Sequence, residues 1–412
     1  MRKRVAITGM GVISSLGDSP ARLHNALCSG QASAYLLDDP GLKDFSGQGS
    51  GSITAFHAEI YLHGKNLRPL DRTGRLVVAA AKLALENSGW TPARLAELPA
   101  GLVLGTMFGS VHTIGKFDRH ALEQGPACAS PMDFANTVIN AAAGQTAIWH
   151  NLRGINSTIA SGSASGLAAL GYACDLIRFG GQTALLAGGA DEFCLESFCG
   201  FERAGMLHTS HDSASFPVPF HPTRTGFAVG EAAGLLMLEE WESAEARGAQ
   251  ILGEVMGHGS AYNHCGDDRV LAGRTIARAM QRALADARMS PPDVACISAS
   301  ANGSVCADRD EARAILSAFN GASSSIPVTA IKSMVGETLG ASGSLQAIDL
   351  VETMRSRVLP GIRGLEQKDA LLPDLNFCGE PREVNGTTGL INSIGFDGTC
   401  CSLLISGRPA QS

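Results

Sequence analysis

Short apolar runs that read as buried strands alternate with longer helical segments along the whole chain, and the alternation breaks once, near residue 245. The first series opens at Val5 to Thr8, a β-branched run closed by Gly9, Gly11 and Gly17, which predicts a strand leading into a turn. A helix is predicted over Leu76 to Ser88, stopped by Gly89 with Pro92 beyond, and further strands at Leu102 to Leu104, Ala184 to Leu186 and Leu235 to Leu238. A charged stretch from Glu240 to Arg247 separates these from a second series that begins at Ile251. It reads as helices over Thr275 to Ala287, Asp310 to Phe319 and after Gly343, with strands at Ala295 to Ser298 and around Leu390 and Leu403. Two comparable series predict a duplicated, layered α/β architecture with halves at 1–245 and 246–412. The duplication rests on element order, since the halves share no obvious residue-level repeat. Gly47 to Ser52 is too short to be an interdomain linker.

The formal charge of −7, the 5% aromatic content and the lack of a basic block beyond Arg2 to Arg4 exclude a nucleic-acid partner. The apolar run after Arg4 is broken by glycines and lacks a cleavage pattern, so it is not read as a signal peptide. No apolar stretch is long enough to cross a bilayer, and a soluble protein is expected. Eleven cysteines, an odd number falling mostly in apolar segments with no CxxC, fit structural thiols in a reducing cytoplasm and predict no metal site. Gly9, Gly11 and Gly17 do not form a GxGxxG fingerprint, so no nucleotide or flavin cofactor is expected.

The stretch TIASGSASGLAALG, Thr158 to Gly171, sets three serines at a predicted passage from a strand, Ser157 to Ala160, into a helix, Leu167 to Phe179. A side chain at a helix start feels the positive end of the macrodipole, which suits a developing anion on Ser163; serine is equally a common helix cap, and both readings stand here. The hydrolase elbow is excluded, because Gly162 and Gly166 flank Ala164 and not a serine. All eleven histidines lie at or before His264, so no mechanism can draw an imidazole from the C-terminal third.

Five collinear blocks nevertheless resemble one family. They are MRKRVAITGMGVISSLG, GINSTIASGSASGLAALGYACDLIRFGGQTALLAGGADE, PFHPTRTGFAVGEAAGLLMLEE, IKSMVGETLGASG and NSIGFDGTCCSLLIS, and together they resemble the β-ketoacyl-[acyl carrier protein] synthases of the thiolase superfamily. The resemblance implies a thiolase-like α/β/α/β/α fold. It also implies a site in which a cysteine accepts the acyl chain as a thioester and two histidines stabilise the enolate of a decarboxylating malonyl unit. Matched block by block, the cysteine position falls on Ser163, the first histidine on Ser300, anchored by Asp308 and Glu311, and the second on Glu337. Lys332 is kept, as is Phe396, which gates acyl access in relatives; Gln346 stands for an acid and Asp397 for a glycine.

A serine ionises far less readily than a thiol, and a carboxylate at position 337 repels an enolate. The resemblance therefore points to a β subunit, the chain length factor of type II polyketide systems, which pairs with an active ketosynthase and walls a shared tunnel fed by acyl carrier protein. The segment Ala261 to Ala277 is shortened relative to active synthases, as in such subunits, although many of those carry glutamine where this chain has Ser163. Met107 to Lys116 and Asp133 to Ala143 match the family's dimer and tunnel region, making Met107, Phe108 and Phe134 candidates to plug a chain or simply to pack the core. A homodimer is the other assembly the resemblance allows. The alternative activity is a serine-dependent acyltransferase or hydrolase acting through Ser163, with Lys332 or Glu337 as base.

Overall fold

The computed structural model describes residues 2–33, 35–36, 49–63, 66–209, 216–263 and 269–408. Residues 47–48 of the short glycine-serine insertion and 264–268 of the shortened segment lie outside them.

The first half supplies five strands to the main sheet, β1 (Val5–Ser14), β2 (Gly101–Gly105), β3 (Asn156–Ile159), β4 (Ala184–Asp191) and β5 (Ala232–Glu240). The second half supplies β6 (Gly253–Tyr262), β7 (Cys296–Ser298), β8 (Pro327–Thr329), β9 (Thr388–Ile394) and β10 (Thr399–Gly407). From the outer edge inward the first half runs β3-β2-β4-β5-β1 and the second runs β8-β7-β9-β10-β6, the same order of strands in each. Pairing repeats too. The outer three strands of each half are parallel, and the two inner connections are antiparallel. Two residue pairs, Ala6 with Glu254 and Ile7 with Gly253, join β1 to β6, so hydrogen bonding runs through an 11-stranded sheet that the short strand Asn376–Phe377 closes beyond β8.

Three helical layers enclose these half-sheets. Helix α1 (Arg72–Asn87) covers the outer face of the first half, packing Leu76, Val77 and Leu85 with Leu102, Leu186 and Leu235. Helices α3 (Arg269–Ala287) and α4 (Val305–Phe319) do the same for the second, around Met280, Ile315, Ile297 and Leu404. Between them lie α2 (Ser165–Arg178) and α5 (Ser342–Ser356), sharing one core with strands of both halves. A central helix has no solvent face, and α5 is accordingly buried along almost its whole length, polar Gln346 and Asp349 included. This is the duplicated, layered α/β fold expected from the element order.

Local boundaries differ from expectation where side-chain chemistry outweighs hydropathy. The predicted turn after Thr8 is absent, and β1 continues through Gly9 and Gly11 to Ser14 with a register shift between Ile7 and Gly9. A Cβ at Gly11 would run into the Ala80 carbonyl of α1, so these glycines serve close helix packing and not chain reversal. Helix α1 starts at Arg72, ahead of its apolar periodicity, because the Asp71 side chain accepts the Gly74 N–H as an N-cap.

Candidate active site

Ser163 lies between the end of β3 and the first turn of α2. Gly162 adopts φ +55 there, a conformation that costs glycine little, and Asp397 occupies the space a side chain would need. The capping reading does not hold for Ser163: the N-cap is Ala164, and it is the Ser165 hydroxyl that receives the Ser161 N–H at 2.8 Å. Ser163 Oγ instead crosses the domain and donates to the Ile394 carbonyl at 3.0 Å, and the residue is 1% exposed.

Ser300 meets the same residue from the other side. Its Oγ accepts the Ile394 N–H at 3.0 Å and faces Lys332 Nζ at 3.4 Å, while its backbone N–H donates to Glu311 at 2.8 Å. Lys332 Nζ then reaches Glu337 Oε2 at 2.7 Å, with both residues buried. Every lone-pair direction of the Glu337 carboxylate is used: Asn302 Nδ2 donates to Oε2 at 2.9 Å, and Ser342 Oγ (2.6 Å) and the Leu339 N–H (3.2 Å) donate to Oε1. The positions singled out in the sequence are thus linked in one chain of hydrogen bonds, Ser163 and Ser300 through the backbone of Ile394, and Ser300 through Lys332 to Glu337. As a base for Ser163, the sequence-level alternative fares poorly, because Lys332 and Glu337 spend their hydrogen bonds on Ser300, on Asn302 and on each other.

Two further carboxyls hold the Ser300 loop. Burial pushes Glu311 up to about 7, against donation from Asn392 and from the Ser300 N–H, and its second oxygen has no hydrogen-bond partner. Burial likewise pushes Asp308 up to about 6, although it accepts the N–H groups of Phe220, Asn302 and Gly303 beside Arg224. The anchoring role expected of this pair is what the geometry shows. Gln346 donates to the carbonyls of Ser298 and Ala299, fixing the strand end that leads into Ser300. Asp397 holds its own turn by accepting from the Thr399 N–H and hydroxyl.

An aromatic cluster lies beside this network. Phe396 stacks on Phe227 (5.3 Å between centroids, 22° between planes) and touches Phe201, which meets Phe108 at 5.8 Å. Met107 joins the same cluster, which includes Leu339 next to Glu337. The backbone N–H groups of Met107 and Phe108 are fixed by the Asp191 carboxyl at 2.8 and 3.1 Å. Within the single chain Phe134 lies apart from this cluster. The short helix Pro131–Phe134 turns it outward against Phe117, and it is 61% exposed. Phe201, Phe227, Asn302, Ser342 and the Ile394 backbone were not singled out in the sequence; FER and TGFAV carry two of the aromatic residues but no periodic signal marks them.

What the site offers an anion is a carboxylate already saturated by donors, a lysine committed to it and two hydroxyls bound to the backbone of one residue, Ile394. It draws no imidazole from the chain beyond residue 264, where the sequence contains none. An enolate formed here would face Glu337 where stabilisation needs a donor.

Comparison with known proteins matches residues 2–244 to the Beta-ketoacyl synthase, N-terminal domain, and residues 252–366 to the corresponding C-terminal domain. The chain is 32% identical to the 3-oxoacyl-[acyl-carrier-protein] synthase 2 of Rhizobium meliloti (strain 1021), over 98% of each chain. Among solved structures it is similar to the ishigamide ketosynthase/chain length factor, with a TM-score of 0.91 and 29% identity over 99% of this chain and 100% of that one. It is also similar to AntDE:AntF, a type II polyketide acyl-carrier protein in complex with its ketosynthase bound to the hexaketide, with a TM-score of 0.89 and 25% identity over 99% of this chain and 100% of that one.

Proposed function

Because this chain belongs to the β-ketoacyl synthase family, we propose that it acts as a non-condensing β subunit that pairs with an active ketosynthase and limits chain growth in acyl carrier protein-dependent elongation. The observation that carries this reading is the Lys332–Glu337 pair, closed by Asn302, Ser342 and the Leu339 N–H at the position where relatives place their second histidine. A site built this way is a finished structural network. It needs no substrate to complete it.

Pairing is supported by the first half's outer edge. Strand β3 ends the sheet with one side unpaired, and Phe134, Val138, Ile139 and Ile148 are exposed nearby in sequence. An open strand edge flanked by apolar side chains suits a partner of the same fold, a homologous ketosynthase first and a second copy of this chain otherwise. In this reading residues 1–245 and 246–412 are two thiolase-like halves, Met107, Phe108 and Phe396 wall the tunnel, and the protein works in the cytoplasm, where its ten described cysteines, all free, stay reduced. No helix among the described residues is long and apolar enough to cross a membrane.

Co-purification with a cysteine-bearing ketosynthase encoded beside it tests the assignment. A stable heterodimer that elongates, from two chains that separately do not, supports it. Full elongation by this chain alone defeats it. Acylation through Ser163 is the second activity to assay, by mass increment after exposure to acyl carrier protein thioesters. Its hydroxyl bond to the Ile394 carbonyl, with no base beside it, weighs against that reaction.

A further inference from the structure

A cavity of about 380 Å³ lies in the outer layer of the first half, away from the Ser163 network. Leu85 of α1, with Trp90 and Leu95 beyond it, belongs to the core that covers the sheet, whereas Leu62 and Trp149 belong to a separate, smaller apolar cluster. The cavity is the gap between the two. Tyr61 completes a lining that holds two of the chain's three tryptophans. Apolar walls without partner atoms forfeit dispersion contacts, so a ligand seated here joins two packed groups into one. A dry apolar cavity of about 150 Å³ is enough for benzene, and this larger one has room for a fused bicycle.

The polar atoms around the cavity narrow the chemistry. At its rim Lys82 and Glu86 pair at 2.8 Å, with 34% and 58% of their side chains exposed, and their charges cancel. The Tyr61 hydroxyl donates to Asp18 at 3.0 Å, and His150 Nε2 donates to the Val78 carbonyl at 2.9 Å. Trp90 differs from these: it is 4% exposed, and its Nε1–H has no acceptor in the protein. A buried donor left unmet carries a desolvation cost that an acceptor on a ligand offsets. Cations already stand over the indole, Arg94 at 4.9 Å and Arg247 at 6.0 Å from a ring centroid, which favours contact with a ligand at the edge that bears Nε1.

We propose that this cavity binds a neutral, planar bicyclic aromatic molecule with one ring acceptor, packed against Tyr61 and Trp149 and hydrogen-bonded to Trp90 Nε1. Neutrality follows from the cancelled charges at the rim. Planarity follows from the aromatic lining, against which a rigid ring orders at lower entropic cost than a flexible chain. The site does not depend on pairing with a ketosynthase.

Quinoline and its isostere naphthalene, which lacks the acceptor, are titrated separately into the full-length nitrogen-labelled protein. The indole N–H signals of Trp90, Trp149 and Trp241 are followed by NMR, each assigned by its Trp→Phe variant. Quinoline at about 1 mM is expected to move the signals of Trp90 and Trp149 and to leave Trp241, which packs in a different cluster, in place. The Trp90 N–H proton shifts downfield as its hydrogen bond forms. Naphthalene moves Trp149 without that downfield shift, and Trp90→Phe weakens quinoline binding several-fold while sparing naphthalene. Equal movement of all three signals, or of none, overturns the site. The same Trp90 response to both compounds overturns the acceptor contact, and displacement of quinoline by octanol at lower concentration than by naphthalene overturns the aromatic class in favour of an aliphatic chain.

Discussion

Lys332 Nζ and Glu337 Oε2 stand 2.7 Å apart with almost no solvent on either side. Taking two charges out of water is expensive, and what makes the pair tenable is that the carboxylate's remaining lone pairs are met by Asn302, Ser342 and the Leu339 N–H.

Breaking that pair should unfold the pocket. Lys332→Met leaves the Glu337 charge without its counter-ion and is expected to cost roughly 3–5 kcal/mol, read as a lower urea midpoint at unchanged slope. Lys332→Met combined with Glu337→Leu recovers most of the loss, because no buried charge remains. Equal destabilisation of the single and double variants would show that the pair is not the unit.

The pH dependence of stability should carry the mark of Glu192. Burial, then the nearby Asp71 charge, push this carboxyl from 4.5 up to about 8, against a hydrogen bond from the His112 N–H; Glu231 and Arg72 act in opposite senses. Between those two values the folded chain holds a proton the unfolded chain has released. Stability from this group is therefore complete below about pH 4.5 and lost as pH rises through about 8. Glu192→Gln should flatten the profile from pH 5 to 8 and exceed the parent protein by about 1–2 kcal/mol at pH 8.5 in chemical denaturation. A parallel profile for the two proteins contradicts this.

Product length and assembly should separate at Phe108 and Phe134. Phe108→Ala opens the aromatic wall beside Phe201 and, in the reconstituted pair, is expected to lengthen the dominant product by about one two-carbon unit. Phe134→Ala, on the exposed face, should leave product length alone and weaken association with the ketosynthase by about 5–30-fold in sedimentation or calorimetry. The opposite pattern would exchange their roles.

Ser163→Cys places a thiol beside the first turn of α2 without adding imidazole donors at positions 300 and 337. It is expected to take up an acyl group from an acyl carrier protein thioester, visible as a mass increment at that position, and to release no carbon dioxide from malonyl thioester. Condensation by this single variant would mean that the Lys332–Glu337 network can serve an enolate.

The alternation of strands and helices in two series was readable because it depends on hydropathy along the chain, and the five blocks located Ser163, Ser300, Lys332 and Glu337. What completes the site was not readable. Asn302 and Ser342 look like ordinary loop and helix-start residues, and only the fold brings them to Glu337. Ile394 acts through its backbone N–H and carbonyl, which no side chain advertises. Gly9 and Gly11 misled as turn residues because close helix packing demands the same residue type. That Phe134 faces outward in the single chain depends on the one-turn helix Pro131–Phe134, which hydropathy does not mark.

The most direct test is carbon dioxide release by the purified chain alone, supplied with acyl and malonyl thioesters of acyl carrier protein, beside the same chain paired with a cysteine-bearing ketosynthase. Release and chain growth only in the paired sample is the predicted result. Release coupled to growth from the lone chain would show that a pocket without imidazoles does carry the condensation, and would contradict the account.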